Sequence, residues 1–337
     1  MQHPCIEFKR SSPTFSDIEC SIGRREQLNL ITPYLDGSFI YGTSEEELTK
    51  LRNGSVGLGQ LRMQRENGLL PQSTEEDPSD CTEFKPTQKC FMAGDDRVNQ
   101  NPALMSMHTV FLREHNRIAS ILSGLNPSWS DRVIFEETRR TVVAIFQHIT
   151  YNEYVPLLLG RDLAKEFGLL PAKDLEQTLI YDPNTDPRVS NEWTAAAGRF
   201  GHSMIRGLYS RLDKNFTNAG LNPIHLRTAY FRANSLYDKC QGGMEAVVRG
   251  LLKDPIMKID RFFSQDISQH LFARADKLGR PFHFDLVSIN IQRGRDHGIA
   301  SYNKYREFCH LPVIRSWAEL SVVMPDDVVT VFRSLYK

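Results

Sequence analysis

Apolar residues return every three or four positions in several stretches of the chain, a spacing that predicts amphipathic α-helices. The clearest stretch begins with Asn101, which suits a helix N-cap, and Pro102, which suits the first helical position. Gly124 follows as a residue typical of a helix end. The stripe between them consists of Leu104, His108, Phe111, His115, Ile118 and Leu122.

The same periodicity predicts further helices, and little of the chain has the pattern of a strand. Alternation of apolar and polar residues is scarce, and Pro, Gly, Ser, Asn and Asp interrupt the first hundred residues. The sequence therefore predicts a mainly α fold with long loops and little β structure. The further helices are expected over residues 131–151, 161–177, 190–210, 243–253 and 296–308.

Composition narrows the classes of partner. The 337 residues include 41 basic and 41 acidic side chains, so the formal net charge is zero. Nucleic-acid-binding surfaces usually have a basic surplus, so nucleic acid is not expected as the main partner. No apolar run approaches the roughly 20 residues of a membrane span. The residues after Met1 lack the apolar segment of a signal peptide.

The cysteines and glycosylation sequons favour a secreted protein. Two cysteine pairs, 5 with 20 and 81 with 90, each close a short polar loop that buries little and gains from a cross-link. Sequons begin at Asn53 and Asn215. Unpaired buried cysteines and sequons arising by chance are the competing interpretation. The six cysteines are Cys5, Cys20, Cys81, Cys90, Cys240 and Cys309.

His202 is the strongest candidate for a metal ligand. It follows Gly201 and the run Ala195-Ala196-Ala197-Gly198, small residues that leave room for a large flat cofactor. Arg199 lies three positions earlier, on the same face of the expected helix, and neutral imidazole is the commonest metal ligand. Asn290 offers a side-chain oxygen that could accept the other imidazole N–H. The competing interpretation is an ordinary core or surface histidine.

Arg97, just before the clearest helix, is a candidate catalytic residue. A guanidinium is always protonated and presents a fixed set of donors. Beside a bound peroxide it would stabilise negative charge on the departing oxygen. The alternative is a surface arginine paired with Asp95 or Asp96.

Oxygen-bearing residues at every second position predict a calcium loop. Hydroxyl, carboxylate and carbonyl oxygens are the ligands that calcium takes. A turn built on the Asp36-Gly37 pair would explain the same residues. The candidate ligands are Thr32, Tyr34 through its carbonyl, Asp36 and Ser38.

Two further groups of charged and histidine residues have simpler explanations. His108 and His115 are expected to be structural, and a zinc hydrolase built on them fails because no His-Glu-x-x-His pattern is present. Residues 292–298, Gln-Arg-Gly-Arg-Asp-His-Gly, are typical of a helix start with Asp296 as its cap. Their charges could also contact an acidic cofactor edge.

With these motifs in order, the whole chain resembles the animal-type haem peroxidases, the secreted and peroxidasin-like family. The resemblance rests on 32–42, 94–104, Ser106-Met107-His108-Thr109 with 112–119, 199–202 and 290–298. It implies one helical domain over residues 1–337, with haem buried between long helices. It also implies cleavage of hydrogen peroxide at the iron and oxidation of halides, phenols or protein side chains, including those of matrix proteins.

The resemblance assigns roles to the candidates. His202 corresponds to the proximal iron ligand, Asn290 to its hydrogen-bond partner and Arg199 to the arginine near the haem on that side. Arg97 corresponds to the distal arginine. The calcium ligands correspond to Thr32, Tyr34, Asp36 and Ser38.

Three departures from the family pattern limit the expected activity. The family's Gly-Gln-x-x-Asp-His-Asp motif, which carries the distal histidine, a haem-linking carboxylate and a calcium-binding carboxylate, is not found, and His3 is not in that context. Gln100 aligns with a second haem-linking carboxylate, and an amide cannot form that ester. Cys309 matches a cysteine whose partner lies downstream. We therefore expect a chain truncated at both ends with weak turnover, or alternatively a non-catalytic extracellular binding module with this fold.

Overall fold

The computed structural model describes residues 6–14, 25–54, 57–73, 81, 88–171, 182–275 and 281–336. The chain groups into two compact units. Unit 1 consists of Met1–Ile6, Asn29–Val189 and Phe200–Ile289, and unit 2 of Glu7–Leu28, Ser190–Arg199 and Asn290–Lys337.

Helices dominate both units, which confirms the mainly α prediction. The α-helices are α1 (Ser38–Tyr41), α2 (Glu45–Leu51), α3 (Pro102–Leu125), α4 (Asp131–Ile149), α5 (Val155–Leu159), α6 (Arg161–Glu166), α7 (Asn191–Ala195), α8 (Asn234–Tyr237), α9 (Gly243–Lys253), α10 (Gln265–Ser268), α11 (Leu286–Asp296), α12 (Tyr302–Phe308), α13 (Trp317–Leu320) and α14 (Asp326–Leu335). The 3₁₀ helices are Asp96–Asn99, Ala197–Met204, Leu226–Thr228 and Lys239–Gln241, and Thr150–Tyr154 is a π-helix.

The described strands form three short antiparallel pairs. Strands β1 (Pro13–Thr14) and β2 (Glu26–Gln27) belong to unit 2. Strands β3 (Leu208–Tyr209) and β4 (Ile224–His225) belong to unit 1, as do β5 (Leu271–Ala275) and β6 (Pro281–Phe284). The last pair has a register irregularity between Leu271 and Arg274.

Helix α3 begins where the sequence predicts. The side chain of Asn101 accepts a hydrogen bond from the Leu104 backbone N–H at 3.1 Å, and Pro102 occupies the first turn. The helix ends at Leu125, one residue beyond the predicted stop. Its apolar stripe packs in unit 1 against a core that includes Tyr41, Phe91, Phe135, Val142 and Met244.

Helix α4 also matches its prediction, but the chain continues helically past residue 151. At Ile149 the backbone passes into the π-helix Thr150–Tyr154 and then into α5. Ser130 caps the start of α4 by accepting from the Val133 N–H. The prediction over 243–253 matches α9 in full. The helix predicted over 161–177 is correct only for α6, because residues 167–171 are not helical and 172–177 lie outside the described residues.

Two of the predicted helices are wrong in kind or position. Residues 190–210 do not form one α-helix: α7 ends at Ala195, and Ala197–Met204 is a 3₁₀ helix. Ala196 breaks the α geometry with φ −135° and ψ −74°. The run 292–298 ends a helix instead of starting one, because α11 closes at Asp296 and α12 begins at Tyr302.

A disulfide joins Cys81 and Cys90, as the sequence predicts. The other predicted pair, Cys5 with Cys20, lies outside the described residues. Cys240 and Cys309 are exposed free cysteines. Among the described helices, none is both long and apolar enough to cross a membrane.

Candidate functional site

Arg97 is held by a carboxylate in its own turn. Its Nε and Nη2 donate to the two oxygens of Asp95 at 2.9 and 2.6 Å, and its backbone N–H donates to the same carboxylate at 2.8 Å. The Arg97 side chain is nevertheless 64 % exposed. Hydrogen bonds from Arg97 lower the pKa of Asp95 despite its partial burial, so the pair stays ionised. The surface-pair alternative for Arg97 therefore describes its contacts in this structure.

Arg97 also lines a cleft with Gln100. The cleft has a volume of about 240 Å³, and both residues lie at its wall in unit 1. Aromatic rings provide most of its apolar surface. The remaining lining residues are Asp96, Phe231, Phe272, Arg274 and Phe284. The sequence did not mark the aromatic wall, because the three phenylalanines are far from Arg97 along the chain.

His202 lies in the 3₁₀ helix Ala197–Met204, half-buried. The next residue, Ser203, is buried, and its hydroxyl accepts a hydrogen bond from the Asp260 backbone N–H at 3.3 Å. This bond anchors the end of the helix to a loop of unit 1.

The two glycines near His202 have different roles. A Cβ on Gly198 would lie 2.8 Å from the carbonyl oxygen of Trp193, so this glycine permits a close approach within unit 2. A Cβ on Gly201 would meet nothing within 4 Å among the described atoms. A side chain at residue 201 would therefore meet no obstacle within 4 Å, whereas one at residue 198 would clash with the Trp193 backbone.

Arg199 and Asn290 are joined across 91 residues. Arg199 Nη1 donates to Asn290 Oδ1 at 2.7 Å, and its Nε donates to the Thr194 carbonyl at 3.1 Å. Burial and the nearby Arg293 lower the pKa of Arg199. An amide oxygen has two lone pairs, so Asn290 Oδ1 can accept a second hydrogen bond. Both residues belong to unit 2, and His202 to unit 1.

Asp296 is not a helix cap but the centre of a buried polar cluster in unit 2. Its side chain is 1 % exposed and accepts hydrogen bonds from Arg10 Nε at 2.6 Å, the Ser11 N–H at 2.8 Å and Arg293 Nη1 at 3.0 Å. Burial acts to raise the pKa of Asp296, but these hydrogen bonds outweigh it and hold the pKa below its usual range.

His297 extends this cluster. One ring nitrogen lies 2.7 Å from Ser11 Oγ and the other 2.7 Å from Asn191 Oδ1. The guanidinium of Arg293 stacks over the Phe8 ring at 4.4 Å and donates to the Lys9 carbonyl. The sequence could not reveal these contacts, because the partners are separated by 106 to 286 residues.

The residues predicted to bind calcium form turns. Thr32 Oγ1 accepts from the Tyr34 N–H at 3.1 Å, and Asp36 Oδ1 accepts from the Ser38 N–H at 2.8 Å. Gly37 adopts φ +72°, as a turn at this point requires. Thr32 and Asp36 line one polar cleft of about 330 Å³, whose other lining residues are Tyr41, Gly42, Thr43, Ser44, Glu45, Leu48 and Arg139.

His108 and His115 are core residues of unit 1, as expected. His115 Nδ1 accepts from the Tyr41 hydroxyl at 2.9 Å and its Nε2 donates to the Gly59 carbonyl at 2.9 Å. Burial lowers the pKa of each histidine to about 4. His108 Nδ1 has no hydrogen-bond partner among the described residues and lies beside a small cavity of about 10 Å³.

The structure thus brings together two of the predicted sets. Arg97 and Gln100 share a cleft, and Arg199 bonds Asn290. Within the described ranges, no group of three or more His, Cys, Asp and Glu side chains is arranged to hold a metal ion.

Comparison with known proteins gives one consistent match. The family model described as animal haem peroxidase matches residues 1–337. The chain is 38 % identical over 354 residues to the peroxidasin homolog pxn-2 of Caenorhabditis elegans, covering 99 % of this chain and 25 % of that protein. It is 37 % identical to thyroid peroxidase of Sus scrofa, covering 94 % of this chain and 35 % of that protein. It therefore spans between a quarter and about a third of these relatives.

Solved structures agree with the sequence comparison. Peroxidase A from Dictyostelium discoideum superimposes with a TM-score of 0.78 at 31 % identity, covering 98 % of this chain and 61 % of that one. The fatty acid alpha-dioxygenase of Oryza sativa has a TM-score of 0.68 at 20 % identity, covering 96 % and 54 %. At that identity the second likeness shows a common fold alone.

Proposed function

The chain belongs to the animal haem peroxidase family, and from this premise we propose that it binds haem and contributes to hydrogen peroxide-dependent oxidation of a halide, a phenol or a protein side chain. Membership over all 337 residues carries the proposal. The Arg199–Asn290 hydrogen bond supports it, because it joins the two sequence motifs assigned to the proximal side.

The residues present fit a haem. His202 would hold the haem iron in this proposal, and its neighbour Gly201 has no atom within 4 Å of the position a Cβ would take. When bound, haem would supply a redox-active iron at which peroxide can react. Arg97 and Gln100 lie on the opposite, distal side in this assignment, at the wall of a cleft with an aromatic lining.

On the proximal side, Asn290 corresponds by family resemblance to the residue whose side-chain oxygen accepts the second N–H of the ligating imidazole. Such a hydrogen bond would fix the tautomer in which the other ring nitrogen can ligate iron, and it would raise the basicity of the ligand. Arg199 donates to the same oxygen and so holds the Asn290 amide in orientation.

On the distal side, Arg97 would stabilise negative charge on the departing peroxide oxygen. Asp95 accepts from only two of the five guanidinium N–H groups, so the others can make this contact, and the exposed position of the side chain leaves room for it. Residues 1–337 contain no Gly-Gln-x-x-Asp-His-Asp motif. A positioned general base contributes roughly 10²–10⁴-fold, so the polypeptide of residues 1–337 should turn over slowly. Gln100 cannot form an ester, so we propose that haem is held without a covalent bond at this residue.

Peroxide-dependent oxidation of guaiacol by the haem-loaded polypeptide tests this function. We expect activity above that of free haem at equal concentration, and below that of a full-length peroxidase of this family. Activity equal to free haem would overturn the catalytic proposal, and activity equal to the full-length enzyme would overturn the slow-turnover proposal.

A second candidate is a non-catalytic extracellular binding module. It is favoured by Gln100, because the substitution of the haem-linking carboxylate lies inside the chain. A protein with this role need not form a haem complex. Failure of the unmodified chain to develop a Soret band on haem addition would favour it over the peroxidase.

Other family properties extend the proposal. Residues 1–337 form part of one haem peroxidase domain, in an extracellular protein whose sequons at Asn53 and Asn215 carry glycans. Matrix proteins are candidate substrates. Calcium binds at Thr32, Tyr34, Asp36 and Ser38, supported by the common cleft of Thr32 and Asp36 and opposed by the Arg139 charge there. Calorimetric titration with calcium tests this site, and Asp36→Asn should abolish any heat of binding.

A further inference from the structure

Two polar bridges connect α11 to the segment that carries Arg199. The first is the bond from Arg199 to Asn290, near the middle of α11. The second joins His297, just after the end of α11, to Asn191 at the start of α7. Because Asn191 and Arg199 lie at the two ends of one short stretch, and Arg199 also bonds the Thr194 carbonyl within it, the two bridges close a ring of contacts in unit 2. Attachment at two points fixes the orientation of α11 relative to this segment as well as the distance between them.

The second bridge is itself braced by the segment near residue 10. Ser11 contacts both members of the Asp296-His297 pair, its N–H bonding Asp296 and its hydroxyl bonding His297. Arg10 adds a charge-assisted bond to Asp296, from 286 residues away. Charge-assisted hydrogen bonds are about twice as strong as neutral ones. A carboxylate that is 1 % exposed and accepts three of them is a rigid anchor.

We propose that Asp296 and His297 are positioning residues that hold α7 and α11 so that Arg199 orients the amide of Asn290. The positioning acts through the ring of contacts, and neither residue is assigned a direct contact with substrate or cofactor. The inference rests on the proposed function where it concerns Asn290 as the acceptor for the N–H of the ligating imidazole. The geometry of the ring stands independently of haem.

Hydrogen exchange on the haem-free polypeptide tests the ring directly. In Asp296→Asn, one charged acceptor is lost with little change of shape, and we expect at least about tenfold faster exchange in peptides from 191–199 and 286–296. The matched control is Glu307→Gln, which removes a carboxylate of unit 2 from an exposed pair with Lys304. The control should leave both peptides unchanged, and equal exchange in Asp296→Asn and the unmodified chain would overturn the inference.

If Asp296 only stabilised the fold of unit 2, its substitution would increase hydrogen exchange throughout that unit. Exchange in α12 and α14 distinguishes the two cases: it should stay constant under the proposal, and an equal rise there would overturn it. If Asp296→Asn fails to fold by circular dichroism, Ser11→Ala serves instead, because it removes only the hydroxyl contact to His297.

The haem-loaded protein gives a spectroscopic readout. Hydrogen bonding to the proximal imidazole changes the iron–histidine stretching frequency seen by resonance Raman in the reduced protein. We expect Asp296→Asn to shift this frequency in the same direction as Asn290→Ala, with no shift in Glu307→Gln. A shift in Asn290→Ala alone would overturn the inference while leaving the proposed function intact. If no haem binds to the unmodified chain, the proposed function fails, and the exchange experiment still decides the ring.

Discussion

The turn that carries Arg97 and the segment that carries Arg199 present the same side chain in opposite ways. Among the described residues, the Arg97 guanidinium donates to Asp95, two residues away, in an exposed turn. Arg199 is half-buried and reaches Asn290, 91 residues away, beside a cluster that includes Arg10 and Asp296. A locally held, exposed arginine can rotate to a ligand at little cost, whereas an arginine held by tertiary contacts serves as fixed support.

The strongest test of this comparison is the loss of Arg97. We expect Arg97→Gln to lower peroxide kcat/KM of the haem-loaded chain by about 10²–10³-fold, the effect of removing one oxyanion donor. The matched control is Arg188→Gln, because Arg188 bonds Asp186 two residues away in the same way. Unchanged kcat/KM in Arg97→Gln would show that this arginine is only the surface residue its contacts describe.

Lowering the pH should reduce the free energy of unfolding, because unit 1 buries two histidines. His108 and His115 have pKa values of about 4 in the fold, against about 6.5 unfolded, because burial disfavours the charged ring. Between these values the unfolded state binds more protons, so stability falls as pH decreases from 6.5 to 4, by up to about 3 kcal/mol for each histidine. Above pH 6.5 both contributions are fully present.

Denaturant titrations from pH 7 to 4 measure this slope. His115→Phe removes one titrating ring and should flatten the pH dependence, although it lowers stability overall by leaving the Tyr41 hydroxyl without its acceptor. His225→Ala, at an exposed histidine, should keep the slope of the unmodified chain. A His115→Phe slope equal to the original would contradict this assignment.

The two arginines should also differ in their contribution to folding. Arg199→Gln removes a charged hydrogen bond from a half-buried site and should lower the free energy of unfolding by about 1–2 kcal/mol. Arg97→Gln should cost less than about 1 kcal/mol, because exposed ion pairs contribute little. Chemical denaturation of both variants at pH 7 compares them, and an equal loss would remove the distinction between the two regions.

The smallest expected effect is that of Asp95→Asn. The amide keeps an acceptor for the Arg97 N–H but loses the ion pair, so stability should change by less than about 1 kcal/mol. A freer Arg97 should raise kcat/KM for peroxide by at most about fivefold, the factor that 1 kcal/mol allows. A fall in kcat/KM would show that the Asp95 carboxylate orients Arg97 for catalysis.

Local signals in the sequence predicted most of the helices. Asn101 and Pro102 place the start of α3 because capping depends on neighbours within one turn. The helix over 190–210 was wrong because Ala196 breaks the α geometry, and the helix start at Asp296 was wrong because its carboxylate serves Arg10, Ser11 and Arg293 instead. Aspartate is a residue type that suits a helix cap, and only its tertiary contacts show that Asp296 has a different role.

The contacts at the candidate site also fall into two kinds, local contacts that the sequence predicts and contacts between distant residues that it does not. The surface pairing of Arg97 was visible from Asp95 two positions away. The resemblance placed the motifs of Arg199 and Asn290 on the same side of the haem, but it did not predict the hydrogen bond between them. No local sequence pattern indicates the aromatic wall at Phe231 and Phe272 or the contacts of Ser11. Contacts between residues hundreds of positions apart depend on the fold, which periodicity does not specify.

The proximal role of His202 is the central claim, and haem titration followed at the Soret band tests it most directly. The unmodified chain and His225→Ala should develop the band with equal affinity, whereas His202→Ala should lose more than about 100-fold in affinity, since changes behind a metal ligand alone typically cost 10–100-fold. Haem binding by His202→Ala with the spectrum and affinity of the unmodified chain would contradict the account.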